Sequence, residues 1–413
     1  MKDLTTFLIF SLLLSSCAGP SGKEKNRQKD TTMTTDTLQQ YGYNRDFLKK
    51  HTDILELKNN KASIVIVPGW QGRVMTSTSS GDSGFSFGWI NHELIASRQI
   101  LPHINAFGGE ERLWLGPEGG QFSIFFEKGK EFVYNDWQTP AFLDTMPFEL
   151  DALTDSSALF SIETSVENYS GTLLEFRIER EITLLTDSEI SRLTGQDLKG
   201  VNGVAYRSVN TLVNTGADEW CKETGLLSIW MLGMFTPSPS VIVVIPIVPG
   251  DENKLGLSVN DNYFGKIPSG RLKVSGNHIF FRADGNSRGK IGIPPLRSKG
   301  KMGSFDSGNN ILTLLICDTN EGITEYVNSA WEIQDDPYSG DALNSYNDGP
   351  LEDGSQMGPF YELEASSPAA ALKPGERLTH TQVTLHFTGD PQKLDAISRS
   401  LLGITLEEIR NAF

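Results

Sequence analysis

The segment 377–387 reads RLTHTQVTLHF, with Thr381, Val383, Leu385 and Phe387 alternating with His380, Gln382, Thr384 and His386. Successive side chains of a strand point to opposite faces, so a period of two predicts a strand with one wet face, the one carrying the two histidines. Similar patterns predict strands over 62–67 and 73–78, flanking a Pro-Gly-Trp-Gln-Gly turn, and over 159–163, 173–185, 206–214, 255–259, 271–284 and 311–317. The run SVIVVIPIV at 240–248 is apolar and β-branched, too short for a membrane span, and reads as a buried strand.

Helical spacing is confined to the ends. Asn44 can cap a helix over 44–57, with Phe47, Leu48, His51, Ile54 and Leu55 at helical intervals. A second helix is predicted over 390–402, stopped by Gly403, with Thr405 and Glu408 forming a capping box for a short final one. Many strands, 40 glycines and little internal helix predict an all-β fold, an antiparallel sandwich of large sheets with short terminal helices. No repeat or second linker divides 41–413, which reads as one domain.

The first residues modify this picture. Lys2 precedes an apolar run at 4–14, which ends in Leu14-Ser15-Ser16-Cys17. That pattern is similar to a bacterial lipobox: residues 1–16 are expected to be a signal peptide and Cys17 a lipidation site. The polar stretch 17–40 then reads as a tether. The expected location is the cell envelope, anchored by lipid at the outer membrane and facing the periplasm or the surface. A formal net charge of −16 argues against a nucleic-acid partner, because little here would neutralise phosphates. Beyond Cys17 only Cys221 and Cys317 remain; they can pair in an oxidising compartment or stay as two buried thiols.

Candidate chemistry gathers in two stretches. Residues 105–122, NAFGGEERLWLGPEGGQF, set the pairs Gly108-Gly109 and Gly119-Gly120 beside Arg112, Trp114 and Glu118. The glycines can simply make turns, or they can let backbone approach a ligand that the polar and aromatic residues face; the two roles are compatible. If the stretch is extended, Arg112 and Trp114 share a face. The second stretch, 330–364, reads as a long loop with Trp331, Tyr338, Tyr346, Asn347 and Asp348 leading into a strand with Glu362 and Glu364. Aromatic faces with carboxylates and amides suit a sugar ring and its hydroxyls. Asp341, Asn347, Asp348, Glu352 and Asp353 could supply oxygen ligands to Ca²⁺, although their spacing is not that of an EF-hand. No other metal or cofactor is expected.

Four segments in order carry a family resemblance: ASIVIVPGWQGRVMTST, GGEERLWLGPEGGQF, SVNTLVNTG and FYELEASSPAAALKPGERLTHTQVTLHF. Together they resemble the galactose mutarotase-like (aldose 1-epimerase-like) superfamily, from about residue 62 to 390, and the chain looks like a lipoprotein branch of it. The resemblance implies a β-supersandwich of two large antiparallel sheets with a sugar-binding groove on a concave face. It implies a late-strand Glu as general base, here Glu364 or Glu362, and a His as general acid; Glu118 is this chain's other candidate acid. Arg73, Arg112, Trp114, Trp230, Trp331, Tyr346, Asn347 and Asp348 are the corresponding candidates for binding substrate. The family's His after the Asn-Thr-Gly strand is missing: LLSIWMLGMF carries Trp230 instead. By position His92 and His103 are the candidate replacements, while His51 and His278 lie elsewhere. The expected function is therefore a sugar-modifying enzyme with acid/base chemistry, or a non-catalytic carbohydrate-binding lipoprotein, or a purely structural envelope protein.

Overall fold

The computed structural model describes residues 35–320 and 322–413. The expected signal peptide, Cys17 and most of the expected tether lie outside the described residues. Among these residues no helix is long and apolar enough to cross a membrane.

Antiparallel pairing builds three sheets. Ten strands form the largest, in the order Leu272–Ser275, His278–Arg282, Val241–Pro246, Lys301–Asp306, Ile311–Cys317, Arg377–Gly389, Val201–Asn214, Leu173–Leu184, Ser157–Glu167 and Glu149–Leu153. Five form the second: Gly289–Ile293, Leu343–Asn347, Tyr361–Ser366, Ser228–Phe235 and Arg112–Gly116. The third is a meander of Leu55–Asn59, Ala62–Val67 and Arg73–Thr78. Val243, Ile245, Phe281, Ile291, Leu363 and Ala365 meet between the ten- and five-stranded sheets and make the sandwich core.

Many expected elements stand close to where the sequence put them. Strands cover 62–67, 73–78 and 311–317, and 240–248 holds a buried strand. The helix Pro391–Leu402 starts at Asp390, whose side chain accepts from Gln392 and Lys393, and stops at left-handed Gly403; Thr405 and Glu408 form the capping box. Other expectations are corrected. The N-terminal helix is Tyr41–His51, with Asn44 inside it bonding the Leu38 carbonyl, and 55–59 turns into a strand. Residues 252–255 form a helical turn where a strand was expected over 255–259. A helix at Asp187–Thr194, capped by Thr186 and Glu189, interrupts the strand series. Cys221 and Cys317 are both free.

The largest correction concerns the expected wet face of 377–387. Val383, Leu385 and Phe387 pack under the C-terminal helices with Leu394, Ile397 and Leu401. His380, Gln382, Thr384 and His386 point the other way and are also buried. Two of the four find partners: His386 Nε2 lies 3.1 Å from Glu110 Oε2 and its Nδ1 2.9 Å from Thr313 Oγ1, while Gln382 donates to Glu111 Oε2 at 2.9 Å; both ring nitrogens of His380 and the Thr384 hydroxyl have none. Period two fixed which residues share a face and could not tell water from a polar interior.

Glu110 and Glu111 come from the Gly-rich stretch. Ser77 donates to Glu110 through both its amide and its hydroxyl. Glu111 Oε1 pairs with Arg180 Nη2 at 2.9 Å, and Arg180 also donates to Asn210 and to the Gly72 carbonyl. Gly108 and Gly109, at φ +98° and +114°, let this segment pass; a Cβ on Gly108 would stand 2.1 Å from the Trp89 carbonyl oxygen.

Arg180→Ala strands the Glu111 carboxylate without its cation in a dry interior. The expected loss is roughly 3–5 kcal/mol of unfolding free energy, read from urea titrations. Gly108→Ala meets both a steric and a backbone-angle barrier, so little soluble folded protein is expected on size-exclusion chromatography.

Candidate functional site

The five-stranded sheet has two unlike faces. Its register sets Arg112 opposite Leu232, Leu232 opposite Glu364, and Glu364 opposite Asn344. The neighbouring rows join Trp114 to Trp230, and Met234 through Glu362 and Tyr346 to Lys290. Directly paired residues share a face, so Arg112, Trp114, Trp230, Glu362, Glu364, Tyr346 and Lys290 stand together. The intervening Leu113, Met231, Leu363 and Ile291 point into the core. One face is therefore hydrocarbon, and the other is a layer of charges and indoles.

Two ion pairs organise that layer. Arg112 Nη2 meets Glu362 Oε1 at 2.5 Å, and the guanidinium lies 5.0 Å above the Trp114 ring. Lys290 Nζ meets Glu364 Oε2 at 2.9 Å and lies 4.7 Å from the centre of the Trp230 ring. The Trp230 indole donates to the same Glu364 oxygen at 2.9 Å. Glu364 is fully buried, and its Oε1 has no hydrogen-bond partner. Arg112 Nε and Ser228 Oγ on the same face are also unpartnered.

Glu118 follows the strand Arg112–Gly116, after the cis Gly116-Pro117 bond. Ser329 Oγ accepts from its amide at 3.1 Å, and Gly119 packs against the Ala330 carbonyl, where a Cβ would not fit. Its half-buried side chain lies beside the indoles of Trp331 and Trp137. Desolvation pushes its carboxyl up to about 7, against the pull of Lys290 and Trp331, with Glu364 adding a further push. Burial likewise pushes Glu362 up to about 7 against Arg112. Lys290 is held charged above its usual range: burial opposes this, and Glu364, Glu118 and Glu362 outweigh it. Asp341, pushed up to about 6 by burial, accepts from Tyr263 Oη at 2.5 Å and from Asn260 at 3.1 Å, and it feels Lys290.

Most expected residues converge here: Glu118, Glu362, Glu364, Arg112, Trp114, Trp230, Trp331 and Tyr346. Three are turned elsewhere. Arg73 lies under the Gly-rich turn and donates to the Gly108 carbonyl and to Gln71. Asn347 sits on the opposite face of its strand, bonding the Gly285 amide and the Ser287 carbonyl. Asp348 accepts from Tyr346 Oη and the Gly358 amide, bracing the strand's end. The stretch 330–364 is accordingly no continuous loop, since Leu343–Asn347 is a strand within it. The oxygen ligands weighed for Ca²⁺ are not gathered: Asp341 and Asp348 serve different partners, and Asp353 bonds Ser355 at the surface. Among the described residues no three His, Cys, Asp or Glu side chains are grouped to hold a metal ion.

The two candidate replacements, His92 and His103, and also His278 are committed elsewhere. His92 pairs with Asn44 at 2.6 Å, His103 Nδ1 with the Trp137 carbonyl at 2.5 Å, and His278 with the Leu402 carbonyl. The sequence reading missed Lys290, Trp137 and the Tyr263–Asp341 pair. Lys290 lies 74 positions from Glu364, and nothing in RGKIGIP marks it.

No curated protein matches the chain. Among solved structures it is similar to a galactose mutarotase-like protein from Lactobacillus casei, with a TM-score of 0.48 and 12% identity, covering 81% of this chain and 100% of that one. It is also similar to a galactose mutarotase related enzyme from Lactobacillus acidophilus, with a TM-score of 0.44 and 11% identity, covering 82% and 97%. Residues 39–413 match a family model described as a family of unknown function, DUF6786, and the chain belongs to that family.

Proposed function

We propose that the charged face of the five-stranded sheet binds carbohydrate and performs acid/base chemistry on it. The observation that carries this reading is the pairing of two unlike carboxyls on an indole-lined face. Glu364 pairs with Lys290 and accepts from the Trp230 indole, with its other oxygen unpartnered. Glu118 titrates at about 7 because burial disfavours its charge. One group can take a proton from a sugar hydroxyl while the other supplies one to a ring or glycosidic oxygen, which is what opening an acetal needs. Glu118 thus fills the acid role that the resemblance gives to a His, and Arg112 polarises an oxygen. The half-buried indole of Trp331 offers a flat surface to the C–H face of a sugar ring. A lipid anchor at Cys17 would hold this site at the cell envelope.

A second reading, binding without turnover, is favoured by one observation: Trp230, which does not titrate, stands beside Glu364 where the resemblance calls for a His. Proton NMR of freshly dissolved sugars separates the two readings, since saturation transfer reports binding and anomer exchange or product reports turnover. On the enzymatic reading, Glu364→Gln and Glu118→Gln each lower the rate by about 10²–10⁴-fold with the fold retained. Unchanged rates in both variants would sink the catalytic assignment.

Glu118 also leaves a mark on stability. Its carboxyl is raised above the usual value of 4.5, so between that value and about 7 the folded chain holds a proton that the unfolded chain has released. Its contribution is present at the acidic end of that window and is lost as pH rises through 7. Thermal melts across the window should fall less steeply for Glu118→Gln than for the wild type.

A further inference from the structure

The charges on the site's face do not balance. Four carboxyls, Glu118, Glu362, Glu364 and Asp341, stand with two cations, Arg112 and Lys290. Arg112 is taken by Glu362 and Lys290 by Glu364. Asp341 is hydrogen-bonded by Tyr263 and Asn260. Glu118 has no ion-pair partner of its own among the described residues; Lys290, which attracts it, is paired with Glu364. Above about pH 7, where Glu118, Glu362 and Asp341 carry their charge, a ligand bearing carboxylate, sulfate or phosphate would meet this surplus and be repelled.

What surrounds Glu118 is aromatic. Trp137 and Trp331 stack at 5.9 Å and 23°. Phe125 stacks on Trp137 at 5.8 Å, and Trp114 stands 6.5 Å from Trp137 and 5.6 Å from Trp230. Indole faces attract cations through the ring quadrupole. This face shows that affinity twice, with the Arg112 guanidinium over Trp114 and the Lys290 ammonium over Trp230. A hydroxyl would hydrogen-bond Glu118 and leave the indoles as plain apolar surface. An ammonium group satisfies the carboxylate and the half-buried Trp331 ring together.

We propose that the sugar taken by this face carries a free ammonium group, as an unacetylated amino sugar does, and that Glu118 with the half-buried indole of Trp331 forms the subsite for it. The inference rests on the carbohydrate reading above and adds the substrate class. The groups facing Glu118 are Lys290 from the strand Gly289–Ile293, Glu364 from Tyr361–Ser366, and the two indoles from the loops around 137 and 331. Glu118 gains its charge as pH rises through about 7, so the preference for an amine grows over that interval and declines again once the amine loses its own proton.

The test is tryptophan-fluorescence titration of the full-length protein. Glucosamine, galactosamine and mannosamine are each compared with their N-acetyl and 2-hydroxy counterparts at pH 7.5 and 5.5. At least one amine should bind about tenfold more tightly than both counterparts at the higher pH. That advantage should shrink toward unity at the lower pH and in Glu118→Gln at pH 7.5. Equal binding of all three forms at both pH values would overturn the amine assignment and leave the carbohydrate reading standing. A preference that persists in folded Glu118→Gln would remove Glu118 from the subsite. Absence of binding by every sugar would overturn both readings. Should Glu118→Gln fail to fold, the wild-type pH series decides alone.

Discussion

Three consecutive side chains, Glu110, Glu111 and Arg112, tie the three sheets together. Glu110 holds Ser77 on the three-stranded meander and His386 on the ten-stranded sheet. Glu111 holds Arg180 and Gln382 on the ten-stranded sheet, while its backbone pairs with Val74 on the meander. Arg112 begins a strand of the five-stranded sheet and reaches Glu362 within it. In a dry interior a charge left without a partner costs several kcal/mol. These contacts are therefore either made together or lost together, and they fix the height and direction at which the following strand enters its sheet. The two glycines before them are the condition for this arrangement. Gly109 lies against the Arg73 side chain and Gly108 against the Trp89 backbone, both in the left-handed half of backbone space.

The site inherits its geometry from that entry. Once Arg112 is placed, alternation puts Trp114 beside it, and the cis Gly116-Pro117 bond and tight packing at Gly119 bring Glu118 back beside Trp331 and Trp137. Unpartnered buried polar atoms occur in both charged layers, including His380 in the ten-stranded sheet and Glu364 Oε1 in the five-stranded one. The second layer continues outward to half-buried groups, Glu118 and Trp331. It therefore has an edge that meets solvent. That edge is where a carboxyl can have its charge disfavoured by burial and still exchange a proton.

Elements with strong local signals were legible without coordinates. Short runs of apolar and β-branched residues marked the strands at 62–67, 73–78 and 311–317, and side-chain caps marked the helices after Asp390 and Thr405. The same local logic brought Arg112 next to Trp114 and Glu362 next to Glu364 on shared faces. It overstated the helix after Asn44, because helical spacing continued through Ile54 and Leu55 while tertiary pairing with Ile66 drew Leu55 into a strand. It also read 330–364 as a loop, because Leu343–Asn347 is polar on both sides and carries no alternation.

By itself the sequence determined the fold class, many of its strands and the terminal helices, since each depends on spacing within a few residues. Tertiary structure alone decided which polar faces meet water. His380 and His386 look solvated in the chain and are buried in the fold. It alone supplied Lys290 to Glu364 and Trp137 to Glu118, because those partners are far apart in sequence and no local pattern links them. It also set the protonation of Glu118, for a carboxyl's affinity for its proton depends on how much water and which charges surround it, and folding arranges both.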